Sequence, residues 1–267
     1  MSTESKVAVI TGASSGIGLG AARELASKGC RVYDFSRHAG PEVSGVTHVF
    51  CDVTKPETID AALQNVLDQE SRIDILISNA GMGISGAIEF TEPNAVRKQM
   101  EVNFFGTDNM CRAVVPIMRK QGGGRIVTIS SVAAPIAIPF QAYYSASKAA
   151  IEDYTLALRN EVAPFGIEVV CILPGDIHTG FTDAREKSPV GDDIYGGRIA
   201  RSVAGMEHDE RTGMDPDKAG AIIAHHALRR HPSPVYTIGN AYKVFVFLTR
   251  IVSNRFLYSM VGKLYAK

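Results

Sequence analysis

The sequence predicts an α/β protein: a doubly wound parallel sheet of about seven strands, helices on both faces and a helical extension at the C-terminus. Three observations carry this. Short β-branched and apolar runs alternate along the chain with helical stretches, the order expected of repeated βαβ units. The runs are apolar throughout rather than at every second residue, as in strands buried on both faces. A glycine-rich turn, Gly12-Ala-Ser-Ser-Gly16-Ile-Gly18, follows the first run directly.

The elements follow in order. Residues 6–10 form a β-branched run that stops at the glycine turn, and 17–28 read as a helix ended by Gly29. Strands follow at 31–36 and 46–50. Thr54, with Pro56 and Glu57, looks like a capping box opening a helix to about residue 70. Residues 73–78 make a strand leading into Asn79-Ala80-Gly81. Thr91 can cap a long helix over 93–120, ended by Gly122-Gly-Gly124. Then come a strand at 125–130, a helix through Tyr144 and Lys148 to 162, and a strand at 167–173 stopped by Pro174-Gly175. Asp215-Pro216 supplies an N-cap and a first-turn Pro for another helix, and 235–238 form a last strand. Residues 180–214 are polar and Gly-rich, readable as a substrate lid or as surface loop. With no repeat or linker, the 267 residues read as one domain, 1–267.

Composition excludes several functions. Lys+Arg and Asp+Glu number 28 each, so no net field would recruit nucleic acid or an anionic membrane. Cys30, Cys51, Cys111 and Cys171 lack metal or CxxC spacing and read as buried free thiols of a reducing cytoplasm. The seven His form no metal-ligating pair, and His225-His226 before Arg229-Arg230 reads as a solvated helix end. The N-terminus enters a strand without a signal-peptide pattern, and no run reaches the ~18 apolar residues of a membrane span.

Tyr144-Ser-Ala-Ser-Lys148 carries the chemistry. Residues four apart share a helix face, which sets a cation beside a phenol. A phenol has a pKa near 10, and a nearby positive charge lowers it. Reaching about 7 takes about 4 kcal/mol, which one Lys and an oxidised nicotinamide could supply together. Alone, the pair fits a solvated helix face equally well. Ser131, thirteen residues upstream at the end of an apolar run, and the glycine turn change that reading.

With these motifs the chain resembles the single-domain short-chain dehydrogenases/reductases over residues 5 to about 180, and is similar to bacterial hydroxysteroid-dehydrogenase-like members. The resemblance implies a Rossmann fold and a catalytic set of Asn103, Ser131, Tyr144 and Lys148. Tyr144 would exchange a proton with the substrate oxygen, Ser131 would hydrogen-bond that oxygen, Lys148 would tune the phenol and hold the nicotinamide ribose, and Asn103 would hold a relay water. Asn103 also reads as a helix-interior residue bonding a nearby carbonyl.

The cofactor positions implied are Gly12, Ser14, Ser15, Gly16, Ile17 and Gly18 for the pyrophosphate, Asp52 and Val53 for the adenine, and Asn79, Ala80 and Gly81 for the adenosine ribose. Pro174, Gly175, Ile177 and Thr179 would hold the carboxamide, beside Tyr144 and Lys148. At the end of the second strand stand Ser36 and Arg37, where an NAD enzyme carries an acid; a guanidinium there suits a 2′-phosphate, which favours NADP(H) over NAD(H). The nearby Asp34 is that acid if the strand is read two residues out of register.

The expected activity interconverts a secondary alcohol and a ketone, the substrate bulky and apolar (a steroid, bile acid or lipid ketone), in a homodimer or homotetramer. Alternatives are a fatty-acyl or sugar carbonyl reductase, and a non-catalytic NADP-binding redox sensor. Residues 242–267 carry an apolar stripe through Phe245, Leu248, Val252, Phe256 and Met260, which reads as core or subunit contact, or as a flap or interfacial helix for a lipophilic ketone.

Overall fold

The first apolar run becomes β1 (Val7–Thr11), buried along its whole length, in a computed structural model that describes residues 5–266. After it come α1 (Gly16–Ser27), β2 (Arg31–Ser36), β3 (Val46–Phe50), α2 (Pro56–Glu70), β4 (Ile75–Ser78) and a short β5 (Ile84–Ser85). α3 (Pro93–Met100) and α4 (Gly106–Lys120) precede β6 (Gly124–Ile129), and α5 (Ala142–Val162) leads to β7 (Ile167–Pro174). The chain ends with α6 (Phe181–Ala184), β8 (Glu186–Lys187), α7 (Arg198–Arg211), α8 (Pro216–Leu228), β9 (Val235–Ile238), α9 (Asn240–Leu248) and α10 (Asn254–Tyr265).

Seven strands form one parallel sheet in the order β3-β2-β1-β4-β6-β7-β9. Alternate residues of each strand serve opposite faces. Val7 and Val9 pack with residues of α2, α4 and α5, while Ala8 and Ile10 pack with α1 and α8. Burial on both faces is why β1 and β4 are apolar almost throughout, whereas the edge strand β3 (VTHVF) is mostly exposed and carries Thr47 and His48, a correction to the expectation that all the strands are apolar throughout.

Several local expectations are corrected. Lys55, not Thr54, is the N-cap of α2, because Asp52 Oδ1 takes the Thr54 hydroxyl at 2.7 Å. Glu92, not Thr91, caps α3, since Thr91 Oγ1 donates to Ala87 O at 2.7 Å. The helix expected over 93–120 is interrupted by a π-helical turn at Glu101–Phe105. Asp215 does cap α8, accepting from Asp217 N at 3.0 Å and Lys218 N at 3.1 Å.

Residues 180–214 are largely structured, with α7 as a 14-residue helix. β8 pairs with β5, Ile84 with Glu186 and Ser85 with Lys187, so this segment is stitched to the loop after β4. His226 is buried rather than solvated. Its ring stacks on Tyr236 with centroids 4.0 Å apart, and burial pushes its pKa down to about 4. All four Cys are buried free thiols.

Candidate active site

β1 has β2 on one side and β4 on the other, so connections leave its C-terminal end in opposite directions and open a crevice there. A cavity of ≈ 830 Å³ occupies it. Gly12 (φ +68) and Gly16 (φ +57) hold positive-φ positions in the turn from β1 to α1, where side chains are disfavoured. A Cβ on Gly18 would fall 2.5 Å from both Gly12 O and Asn79 Nδ2. Ser15 is the N-cap of α1, but no side chain caps the helix. First-turn N–H donors with partial positive charge therefore stand at the cavity beside Ser14, Ser15, Gly16 and Ile17. A dinucleotide pyrophosphate fits that cradle.

Asn79 braces the turn. Its Nδ2 donates to Thr11 O at 2.9 Å and Gly12 O at 3.1 Å, while the backbone N–H groups of Asn79 and Ala80 both donate to Thr11 Oγ1 at 2.9 Å. Asn79, Ala80 and Gly81 line the cavity, as do Pro174, Gly175, Ile177 and Thr179 on the far side. A Cβ on Gly175 would overlap the Tyr242 ring, which covers this loop from α9 and hydrogen-bonds Asp176. Gly18 lies behind the cavity wall.

The end of β2 is Ser36, as the family register implies, and Arg37 follows at the cavity. Asp34 is buried, with both oxygens engaged: Oδ1 accepts from Ala13 N at 2.9 Å, and Oδ2 accepts from Ser36 Oγ at 2.8 Å with His48 Nδ1 at 3.4 Å. Burial raises its pKa, and these partners offset only part of that. Asp34 thus anchors the glycine turn from below, a role unforeseen in the sequence, although a lone acid inside an apolar strand was the available signal. Asp52 and Val53 line the cavity next to Arg37. Burial works to raise the Asp52 pKa, but the Thr54 hydroxyl and N–H and then the charges of Arg37 and Lys55 outweigh it and lower it.

Tyr144 and Lys148 share one face of α5, with Lys148 Nζ 5.7 Å from the phenol ring centroid. The Ser131 hydroxyl lies against the Tyr144 hydroxyl. Ser130 is turned away, donating to Lys148 O at 2.7 Å, so of the two serines it is Ser131, thirteen residues before Tyr144, whose hydroxyl faces the phenol. Burial dominates the Tyr144 pKa and pushes it up to about 12. Ser131 and Arg185 work to lower it, Glu210 and Asp176 to raise it. The expected lowering by Lys148 is absent from these causes. Lys148 is itself buried, donates to Ile129 O at 2.9 Å, and is pushed down to about 8 by desolvation.

Asn103 lies in the π-helical turn, fully buried and outside the cavity wall. Its Oδ1 accepts from Met82 N at 2.8 Å, and its Nδ2 donates to Met82 O and Ser147 Oγ, both at 3.0 Å. It ties the segment after Gly81 to the helix bearing Tyr144. The far wall has Val132, Ile138, Phe181, Ala184, Met206 and Tyr265 as its apolar side, with Gln141, Asp176, Asp209 and Glu210 also lining it. Phe181, Ala184 and Met206 fall in the segment read as a lid and Tyr265 in the tail read as a flap, but none was singled out in the sequence. Glu210 is held by a buried ion pair with Arg185 and by Thr182 Oγ1 at 2.7 Å. Phe181 packs on Tyr144 with ring centroids 5.8 Å apart. Among the described residues, no three His, Cys, Asp or Glu side chains converge in a metal-ligating group.

Residues 6–189 match the family model described as short chain dehydrogenase. Over 229 residues the chain is 42% identical to a 3-ketodihydrosphingosine reductase of Bacteroides thetaiotaomicron, covering 85% of each. Among solved structures, a short-chain dehydrogenase of Burkholderia cenocepacia in complex with NADP superposes with a TM-score of 0.77 at 28% identity, over 98% of this chain and 99% of that one. A 3-ketoacyl-(acyl-carrier-protein) reductase of Brucella melitensis complexed with NADH gives 0.73 at 28% identity, over 87% and 96%. A parallel sheet that reverses at a glycine cradle, with Ser131, Tyr144 and Lys148 at the same crevice, agrees with these matches, and the chain belongs to the short-chain dehydrogenase family, an oxidoreductase family with nicotinamide cofactors.

Proposed function

We propose that the protein is an NADPH-dependent reductase of a long-chain lipid ketone, with Tyr144 as the proton donor. The observation that carries this is the position of the Tyr144 hydroxyl, beside Ser131 at the junction of the glycine cradle and the apolar chamber. A phenol with a pKa of about 12 keeps its proton at neutral pH, the state required of an acid. Gly12, Ser14, Ser15, Gly16 and Ile17 at one end, and Pro174, Gly175, Ile177, Thr179 and Lys148 at the other, would hold NADPH, which when bound would be the hydride source for the carbonyl carbon. Ser131 hydrogen-bonds the carbonyl oxygen and holds it toward Tyr144, which passes its proton to that oxygen as negative charge develops. Phe181 and the rest of the chamber exclude water around the transfer. Asn103 acts here as a positioning residue, fixing α5 against the segment after Gly81.

Preference for the 2′-phosphate is supported by the two side chains at the end of β2. Asp34 is buried behind the glycine turn and does not line the cavity, whereas Arg37 does. Arg37→Asp is expected to move the NADPH:NADH ratio of kcat/KM toward NADH by about 2–3 kcal/mol, the scale of a charged hydrogen-bonding partner. An unchanged ratio would put the phosphate pocket elsewhere.

A lipid ketone is supported by the apolar chamber and by the similarity to the Bacteroides reductase. The experiment is NADPH oxidation with 3-ketodihydrosphingosine, a steroid ketone and a β-ketoacyl thioester side by side. Highest kcat/KM is expected with the first; turnover of only the thioester or the steroid would overturn the substrate assignment.

A further inference from the structure

The overall charge balance conceals a strong local asymmetry. Of the 28 acidic residues none lies in the last 50 positions, 218–267, which hold eight of the 28 basic ones. The same region carries much of the exposed grease. Of twelve large apolar side chains exposed among the described residues, six fall between 244 and 264.

α9 and α10 are two-sided. Val246, Leu257 and Val261 are buried against Ile136, with Phe245, Val252, Met260 and Tyr265 packed around them. That is the core half of the stripe expected from the sequence. The other half faces out: Val244, Phe247 and Ile251 recur at three- and four-residue steps and are 59%, 59% and 63% exposed, and Phe256 and Leu264, eight residues apart on α10, are 61% and 56% exposed. Phe256, a member of the stripe read from the sequence either as core or subunit contact or as a flap or interfacial helix, is on the outside. Lys243, Arg250, Arg255 and Lys263 are exposed among them. Glu152 of α5 lies near Arg250 and offsets part of its charge. Lys243 donates to the Tyr236 hydroxyl at 3.0 Å, a partner that is not an acidic side chain.

We infer that the outward face of α9 and α10 docks on an anionic phospholipid bilayer. Aromatic and aliphatic side chains on one side of a helix, bordered by cations with no acid among them, suit insertion at the level of the headgroups. Two surfaces of the same basic sign would repel if a second copy met this face squarely, which disfavours a twofold contact between tails. No helix among the described residues is long and apolar enough to cross a membrane, so the contact is with the surface. The face also adjoins the active site. Tyr265 of α10 lines the cavity, and Arg198 of α7 donates to Ala266 O at 2.7 Å, tying the end of the tail to the helix that carries Met206 and Glu210. The docked enzyme would have its substrate chamber beside the lipid phase. The docking face stands whichever ketone is reduced.

The test is flotation of the full-length protein with vesicles of phosphatidylcholine alone and of phosphatidylcholine with phosphatidylglycerol. Binding to the anionic vesicles is expected, weakening as salt is raised. Phe247→Asp combined with Phe256→Asp should cut the bound fraction at least tenfold. Arg255→Gln combined with Lys263→Gln should lower the partition coefficient by about 25-fold, at about fivefold per basic residue near the surface. Both pairs are exposed, and turnover of a water-soluble ketone and the melting temperature should stay at native values. Native protein that remains unbound with both vesicles would overturn the inference, as would equal binding to both. So would a native dimer that light scattering shows to dissociate in the Phe247→Asp/Phe256→Asp variant, which would assign the face to a second copy.

Discussion

Tyr144→Phe is expected to lower kcat for carbonyl reduction by a factor of about 10²–10⁴, the contribution of a positioned general acid, with NADPH affinity changed by no more than a few-fold. The ring stays, so its packing on Phe181 is retained; what goes is one O–H beside Ser131. That hydroxyl is the group placed to meet a carbonyl oxygen, whereas the cradle at Gly12, Ser14 and Ser15 is untouched. Stopped-flow measurement of NADPH oxidation, with nucleotide binding followed by fluorescence in parallel, separates the two effects. Equal turnover in the variant would remove Tyr144 from the chemistry. Because burial holds the phenol at about 12, its own titration does not limit reduction at neutral pH. Oxidation of the alcohol needs the phenolate instead, so the reverse rate should climb with pH where the forward rate does not.

The parts of this site legible in the sequence are those whose signals are local. Tyr144 and Lys148 are one helical turn apart, Ser131 closes an apolar run, and Gly12, Gly16 and Gly18 meet a backbone requirement that only glycine satisfies. Central strands β1 and β4 were legible because burial on both faces writes an apolar run into each, whereas the mostly exposed edge strand β3 was marked only by its β-branched and aromatic residues. What was hidden depends on residues that fold from afar. Arg185 and Glu210 are 25 positions apart and meet only because α6 and α7 fold over the crevice. α7 itself is a mostly polar stretch with few apolar residues to mark its inner face. The π-helical turn at Asn103 is a change of hydrogen-bond register with no compositional trace. Asp34 looked like a ribose ligand in a shifted frame, whereas the distance from its Oδ1 to Ala13 N makes it a support for the turn. Thr54 and Thr91 had the residue type of caps, but Asp52 and the Ala87 carbonyl competed for their hydroxyls.

Lys148→Met should abolish turnover and yet stabilise the protein, because the charge needed for function is costly to bury. Lys148 is only 5% exposed, and desolvation pushes its pKa down to about 8 from the ordinary lysine value of 10.5. A depression of that size corresponds to about 3 kcal/mol of penalty on the charged form. Below about pH 8 the side chain is charged both folded and unfolded, and the folded state bears the whole penalty. Between about 8 and 10.5 the unfolded chain binds the extra proton, so stability attributable to this group rises with pH; above 10.5 the penalty is gone. Methionine has similar length and no charge, and its insertion costs about 1 kcal/mol for the hydrogen bond lost at Ile129 O. A net gain of about 2 kcal/mol at pH 7 follows, raising Tm by about 5 °C. The advantage over the native chain should shrink as pH passes from 8 to 10. Thermal unfolding of both proteins in nucleotide-free buffer across that range reads it directly. A variant less stable than native at pH 7, or an advantage that grows with pH, would mean that Lys148 is not carrying a buried charge. The same titration predicts that native kcat/KM for reduction declines as pH rises through about 8, since a neutral amine would hold the nicotinamide ribose less well.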